Sequence, residues 1–496
     1  MITTEAVSRA PRSRWVGGLL LIAIGSLLGC AVGPRYSKPS ATSPPQYKET
    51  PPNWKTAQPN DQIARGRWWE IYGDSQLNAL EEQINVSNQN LKAAQAGYQQ
   101  ARALVRFNRA NYYPTVTAGI SSARTHNSAN RPLGRLSLSN TTDIVIPVEI
   151  SWEPDVFGRI RRTVEAARSN LQASAADLES VNLSLHAELA LDYFQLRTLD
   201  AEAQLLNSTV DAFQRALELT QNRYEGGVAS AVDVAQAETQ LETTRAQATD
   251  VVIARAQNEH AIAVLIGQPA STFSIAVWPW NSEPPAIPPG LPSDLLERRP
   301  DIAAAERRVA AANAQIGVAR AAYFPVFNIS GSGGFESSTI TTLLQGPAGF
   351  FAAGASATVT AFDAGRRRAV SEEARAAYDQ SVANYRETIL TAFGEVEDNL
   401  AALRILQDET RIQAAAVAAA QRSLDLSTNR YKGGVVNYLE VITAQSAALA
   451  DERAMVDILR RRMTASVSLI KALGGGWNVA SLPSASLPTP AQSAGQ

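Results

Sequence analysis

The sequence of 496 residues predicts an α+β membrane protein: long antiparallel helices carrying a small β-sheet that other copies of the chain must complete. Three observations predict it. One helix-breaking stretch is written twice, as Leu217–Val228 and as Leu424–Val435. Four segments alternate apolar and polar residues. No proline interrupts the chain between Pro154 and Pro269 or between Pro347 and Pro483.

The duplicated stretch reads as the bend of a helical hairpin. Apolar residues at helical spacing lead into Arg223-Tyr224-Glu225-Gly226-Gly227-Val228 and into Arg430-Tyr431-Lys432-Gly433-Gly434-Val435. The Gly pair allows positive φ. A second helix then opens with Ser230-Ala231-Val232-Asp233 or Asn437-Tyr438-Leu439-Glu440. Each copy runs without a gap to a further glycine, Gly267 or Gly474, so the halves are structural repeats.

Composition narrows the function. A net charge of −2 gives no nucleic-acid surface. The single cysteine, Cys30, cannot form an internal disulfide, and the three histidines have no His or Cys at ligand spacing. There is no zinc signature, Gly-rich phosphate loop or Gly-x-Ser-x-Gly elbow, so no enzyme and no cofactor is expected. Three methionines are too few for a soft-metal relay.

Residues 1–29 read as a signal peptide: Arg9, Arg12 and Arg14 precede an apolar run from Trp15 to Leu28. With about fourteen apolar positions it is too short to span a bilayer. Residues 30–74 form an extended, Pro- and Ser-rich arm without a core of its own. The first repeat follows over 75–278, a Pro-rich linker over 279–292, the second repeat over 293–476 and a disordered tail over 477–496.

In each repeat a short helix (77–111, 294–323) leads to two strands. Val116, Ala118 and Ile120 oppose Thr115, Thr117 and Ser121, and Ile144 to Trp152 alternate in the same way; the second pair covers Phe327–Ser332 and Phe351–Thr360. Alternating strands of about ten residues suit a membrane barrel, where lipid and lumen faces alternate. A soluble two-faced sheet would show the same pattern. In lipid, closure takes at least about eight strands, so four per chain require a barrel shared between chains. Beyond the strands lie helices with coiled-coil spacing: Leu171, Leu178 and Leu185, then Leu196, Ala203, Val210 and Leu217. From Gly158 to Tyr224, and from Gly365 to Tyr431, an uninterrupted helix would span about 100 Å. The return helices, 230–266 and 437–473, are half as long, so each would stack end to end on a pre-strand helix beside the long one.

This arrangement resembles the TolC/OprM outer-membrane efflux channels, most closely their NodT-like lipoprotein branch. The resemblance covers about 30–477 and rests on Ala31-Val32-Gly33-Pro34-Arg35-Tyr36, Leu295–Ile302, Ala322-Tyr323-Phe324-Pro325, the two Arg-Tyr-x-Gly-Gly-Val bends and Ala472–Trp477. Leu27-Leu28-Gly29-Cys30 resembles a lipobox, which implies cleavage before Cys30, a lipid on that residue and, with Ala31 next, the outer membrane. The family implies a homotrimer with a shared 12-stranded β-barrel, four strands per chain, on an α-helical barrel with a mixed equatorial belt. It also implies a passive exit duct in outer-membrane lipid, fed by a periplasmic adaptor and an inner-membrane pump, most often of the resistance-nodulation-division type.

By the same resemblance the bends are the periplasmic tips where the adaptor docks, through Arg223, Tyr224, Gly226, Gly227, Val228, Arg430, Tyr431, Lys432, Gly433, Gly434 and Val435. Val232, Asp233, Leu439 and Glu440 would then form the channel constriction. OprM-like members carry an aspartate where this chain has Thr443, which leaves two readings of Glu440: it replaces that acid, or it is, like Asp233, a first-turn acid favoured by the helix dipole. Like charges gathered at the axis would need compensation between neighbouring hairpins, with Arg223, Arg430 and Lys432 as candidates. Two other functions fit parts of the pattern. A periplasmic coiled-coil adaptor lipoprotein shares the hairpins, and a type I secretion exit channel shares the whole plan.

Overall fold

The computed structural model describes residues 31–41, 43–49, 67–126, 128, 140–278, 283–287 and 295–483. Cys30, the signal segment and most of the linker lie outside them, as does the tail beyond 483. The first repeat holds α1 (Ser75–Ser87), α2 (Gln89–Ala110), β1 (Thr115–Ala118), β2 (Ser121–Thr125), β3 (Thr141–Trp152), α3 (Arg159–Glu225) and α4 (Ala231–Leu265). The second holds α5 (Pro300–Ala321), β4 (Val326–Ser337), β5 (Gly349–Thr358), α6 (Arg366–Lys432) and α7 (Tyr438–Ala472), preceded by a single turn at Leu295–Arg298. The long helices α3 and α6 have 67 residues each, and the return helices α4 and α7 have 35. At 1.5 Å per residue the long ones span about 100 Å. No helix of the described residues is long and apolar enough to cross a membrane.

The pre-strand helices are each broken, where the sequence suggests continuity. In the first repeat Asn88 takes ψ 126°, its side-chain oxygen accepts from the Leu91 amide at 2.9 Å, and its side-chain amide donates to the Leu265 carbonyl at 2.7 Å. Asn88 thus caps the start of α2 and the end of α4 together. In the second repeat Pro300 keeps Arg299 out of the helical region (φ −95°, ψ 122°). Arg299 Nη1 donates to the Ala472 carbonyl at 3.1 Å, closing the end of α7. The return helix therefore stacks on the pre-strand helix as the lengths require, joined through a polar side chain.

β1 and β2 lie on one register line along β3, from Thr115 opposite Ser151 to Thr125 opposite Thr141. The interruption falls at Gly119, whose amide donates to the Pro147 carbonyl at 3.1 Å. Pro147 has no N–H to return the bond. The sheet is thus four ribbons, with β3 paired to β4 and β4 to β5, all antiparallel. Its register puts Val116, Ile150, Gly331 and Ala353 in one row and Ala118, Val148, Gly333 and Phe351 in the next. All four alternating patterns therefore share one apolar face, and Thr117, Glu149, Ser332 and Ala352 lie on the other. Among the described residues nothing covers the apolar face: Val116 is 61% exposed and Phe351 90%. A soluble two-faced sheet would bury it.

The main core sits midway along the long helices. It gathers Trp68, Trp69, Tyr72, Leu77 and Ile84 with Tyr193 and Leu196 of α3, Tyr385 and Ile389 of α6, and Val467 and Leu469 of α7. The stretch after α4 joins it through Ile275, and the linker through Ile287. A buried charge network holds that approach. Asp200 of α3 accepts from Arg197 at 2.9 Å, from Arg255 of α4 at 2.7 Å and from the Trp278 amide at 3.0 Å. Arg197 and Arg255 donate in turn to the carbonyls of Ala276 and Ile275.

The arm, which has no core of its own, docks along this body. The Val32 amide donates to the Phe157 carbonyl at 3.1 Å, and Arg162 donates to the Val32 and Gly33 carbonyls. A Cβ on Gly33 would lie 2.5 Å from the Gly317 Cα, so only glycine permits this approach to α5. Further on, Tyr47 is 3% exposed within the main core, and the Lys48 and Glu49 amides donate to Glu397 of α6.

Candidate functional site at the paired hairpin bends

Both duplicated bends end a long helix in the same way. Gly227 and Gly434 have φ 69° and 73°. Their amides donate to the carbonyls of Tyr224 and Tyr431, and the Val228 and Val435 amides reach back to those of Arg223 and Arg430. This double closure needs a left-handed residue, hence the glycine. The bends lie side by side because Arg223 of the first crosses to the second. Its Nη1 donates to the Lys432 carbonyl at 3.0 Å, and its guanidinium stands 4.7 Å over the Tyr431 ring.

A small core supports the bends, with Phe213, Leu217, Leu241, Tyr431, Tyr438 and Val441 at its centre. Tyr431 is 4% exposed and lies 5.3 Å from Tyr438, and its hydroxyl reaches Thr220 Oγ1 at 3.4 Å. Burial, helped by Tyr431, pushes the Tyr438 hydroxyl up to about 12. Tyr224, at the matching place in the first bend, is 49% exposed. The repeats are alike in sequence but not in surroundings. Tyr438 and Thr220 were not among the residues singled out from sequence. An aromatic residue where the first copy has Ala231 was the available signal for Tyr438.

The residues expected at the constriction divide into two kinds. Val232 and Leu439 are 63% and 53% exposed and line one groove between α4 and α7 with Gln236 and Ile442. Asp233 instead closes its own helix. Its Oδ2 accepts from the Ser230 amide at 2.9 Å, and its amide donates to Ser230 Oγ at 3.2 Å. Glu440 turns towards the preceding helix, where Arg430 Nη1 donates to it at 2.9 Å. This differs from the expectation that Arg430 serves a neighbouring hairpin. Residues 430 and 440 flank the same bend, one turn before it and one after, and meet within one hairpin. Thr443 donates its hydroxyl to the Leu439 carbonyl at 2.9 Å, so it presents no charge. Gly226 and Gly433 are the helix-ending residues before the left-handed glycines, and the Lys432 side chain is exposed.

The described residues hold no group of His, Cys, Asp and Glu that could bind a metal. The arrangement offers exposed apolar residues (Val228, Val232, Val435, Leu439) and paired charges at the end of two coiled hairpins. Comparison with known proteins agrees with the geometry. The model of the outer membrane efflux protein family matches residues 80–268 and 291–475. The chain belongs to the outer membrane efflux protein family. The toluene efflux pump outer membrane protein TtgC of Pseudomonas putida is 31% identical over 463 residues, covering 92% of this chain and 96% of that protein. The cation efflux system protein CusC of Escherichia coli is 30% identical over 453 residues, covering 91% and 97%. The solved outer-membrane channel OprN superposes with a TM-score of 0.82 at 30% identity, over 90% of this chain and 100% of that one. The fold is thus that of the TolC-like outer-membrane channels, and the place of action is the outer membrane.

Proposed function

We propose that this chain is the exit duct of a tripartite efflux system, conducting small molecules passively from an inner-membrane pump and a periplasmic adaptor to the exterior. The observation that carries the reading is the uncovered apolar face, in register across four ribbons and mounted on helices about 100 Å long. A coiled-coil adaptor has no use for such a face, and no feature favours a protein-secretion channel over a small-molecule one.

Three chains complete the duct. β5 and the β1–β2 ribbon are the free edges of the sheet, and open edges do not persist in lipid. α2 has one extensive helical neighbour, α3, and leaves Leu104 and Phe107 51% and 70% exposed. α6 leaves Leu390 61% exposed. These faces suit α2 of one chain against α6 of the next. Twelve ribbons then close the barrel, and the bends gather at the far end, where Val228, Val435 and their neighbours receive the adaptor. Lipidation of Cys30 fits the docked arm, since Ala31 lies against Gly158 at the head of α3, just below the sheet.

The test is to express the chain with its cognate adaptor and pump in cells that lack their own exit duct. Restored efflux of a fluorescent dye, with a purified species that migrates as an oligomer until heated and conducts ions in a planar bilayer, is the expected result. A heat-insensitive monomer without conductance would sink the reading.

A further inference from the structure

The arm fills a groove that the two repeats make twice. Arg162 of α3 donates to the Val32 and Gly33 carbonyls, Asn313 of α5 donates to the Pro34 carbonyl at 3.3 Å, and Tyr36 donates to Glu306 of α5. The first groove therefore lies between α3 and α5. It opens on the side of the sheet's apolar face, because Phe157, whose carbonyl takes the Val32 amide, stacks 6.3 Å from Phe327, and Phe327 shares a face with Gly331. α5 packs on both α3 and α6, whereas α2 packs extensively on α3 alone. In the three-chain duct proposed above, on which this inference rests, the second groove lies between α6 of one chain and α2 of the next.

The second groove is built for a different occupant. α2 and α5 have 22 residues each, and matching Ala110 to Ala321 sets Arg102 against Asn313 and Arg106 against Gly317. A Cβ on Gly317 would lie 2.8 Å from Arg162 Cγ, and Gly317 is where Gly33 makes its close approach, so an arginine there leaves no room for such an arm. α2 carries Lys92, Arg102, Arg106 and Arg109 and no acid. On the facing helix, matching Arg159 to Arg366 sets Arg368 against Arg161, which lies beside Ala31 on the arm's side. Arg375, two turns further, shares that face. Arg368 is paired with Glu372 at 2.8 Å, and Asp379 follows a turn below Arg375. Arg102, Arg106, Arg109 and Arg375 form no ion pair among the described residues. The arginines of α2 lie within about 12 Å of its sheet end, and those of α6 within about 14 Å, at 1.5 Å per residue. Exposed Tyr113 stands just above them, a residue type enriched where a bilayer meets water. Five arginines brought together from two chains repel one another unless an anion lies among them.

We propose that the seam between α6 of one chain and α2 of the next binds the phosphate of an anionic phospholipid from the inner leaflet of the outer membrane. Guanidinium groups suit a phosphate diester, and the acyl chains continue onto the apolar face of the sheet directly above. One groove of each chain is thus sealed by its own arm and the other by a lipid. The test uses the full-length chain, purified in detergent as its heat-sensitive oligomer and titrated with phosphatidylglycerol or phosphatidylcholine, with bound lipid counted by native mass spectrometry. One phosphatidylglycerol per chain is expected, at least about tenfold tighter than phosphatidylcholine. Arg102→Gln with Arg106→Gln should weaken it at least about fivefold, and Arg102→Lys with Arg106→Lys, which keeps the charge, should restore most of the affinity. Arg411→Gln, far down α6, should leave it unchanged, and Glu372→Gln, which frees Arg368, should tighten it. Equal binding of the two lipids, or full affinity in the double glutamine variant, overturns the proposal. So does displacement of the lipid by millimolar inorganic phosphate, which marks a free-phosphate site. If the double glutamine variant loses the oligomer in the absence of lipid, the arginines serve contacts between chains, and the proposal also fails. A monomeric wild-type chain refutes the duct and this seam together; a conducting oligomer without lipid preference refutes the seam alone.

Discussion

Four helices end on a left-handed glycine, and an alanine at each position would separate two causes of strain. Gly227 and Gly434 end the long helices and Gly267 and Gly474 the return helices, with φ between 69° and 90°. An alanine held in that conformation costs about 1–2 kcal/mol wherever it sits. Beyond this the sites differ. At Gly227 an added Cβ meets nothing within 4 Å, and at Gly434 only Arg223 Nη2 at 3.9 Å. At Gly267 it would lie 2.5 Å from the Ser87 carbonyl oxygen, and at Gly474 2.1 Å from that of Arg298. These are backbone atoms, so the stacked helices must part by roughly 1 Å, with an overpacking cost of about 1–3 kcal/mol. Parting them also strains the bonds from Asn88 to Leu265 and from Arg299 to Ala472, and a bond from a charged group is worth about 1.5–3 kcal/mol. Gly474→Ala should therefore lose at least about 2 kcal/mol more than Gly434→Ala. Guanidinium unfolding, followed by the tryptophan emission of the belt at one fixed protein concentration, measures the difference. Equal midpoints for the two variants would refute the stacked junction.

Other expectations follow from the same contacts. Ile150→Arg, on the apolar face, should cost about 2–4 kcal/mol near the bilayer midplane, and Ser151→Arg, on the polar face beside Asn328, should be mild; equal loss of folded oligomer on gels would point to a soluble sheet. Burial lowers His186 from its ordinary 6.5 to about 4. The unfolded chain then binds that proton first, and up to about 3 kcal/mol per chain present above pH 6.5 is lost as pH falls towards 4. His186→Gln should flatten that stretch of the stability profile, and an unchanged slope counts against the assignment. Burial also raises Glu81 well above the carboxylate range, so its acid form can donate to His186. Glu81→Gln should thus cost less than about 1 kcal/mol and Glu81→Ala about 2–4 kcal/mol, read by the same unfolding curves. Glu440→Gln should lower the cation preference of single channels in a planar bilayer with little effect on assembly, because the exposed Arg430–Glu440 pair contributes under about 1 kcal/mol; unchanged selectivity would place the constriction elsewhere.

What the sequence made legible was whatever is encoded locally and twice. The bends could be read because a left-handed residue after a long helix leaves few choices besides glycine. The ribbons could be read because a period of two is set residue by residue, and the register then brought the four apolar sets to one face. The helix lengths could be read because nothing in the long stretches opposes a helix. The break at Asn88 was hidden for the opposite reason. Asn88 does not forbid a helix, and the partner that makes the break favourable, the carbonyl of Leu265, is 177 positions away; at Arg299 the signal was local, since Pro300 disfavours a helical residue before it, and only the partner carbonyl of Ala472 was distant. The docked arm and the His186–Glu81 pair are likewise contacts between distant segments, with no periodic signal.

The asymmetry of the bends shows how a repeat acquires separate tasks. In the first hairpin the acid after the bend, Asp233, closes its own helix with Ser230, and the arginine before it, Arg223, is free to reach the second hairpin. In the second hairpin Asn437 makes no side-chain cap, so Glu440 turns to Arg430 and occupies the arginine that would otherwise reach outward. One bend therefore ties the two hairpins of a chain together, and the other keeps its ion pair within one hairpin. Tyr431 is buried in the small core with Arg223 over its ring, while Tyr224 stays half exposed and Arg430 is engaged with Glu440. Serine against asparagine at the cap goes with these different pairings, alongside Glu225 against Lys432 and Ala231 against Tyr438 at matching places in the two copies.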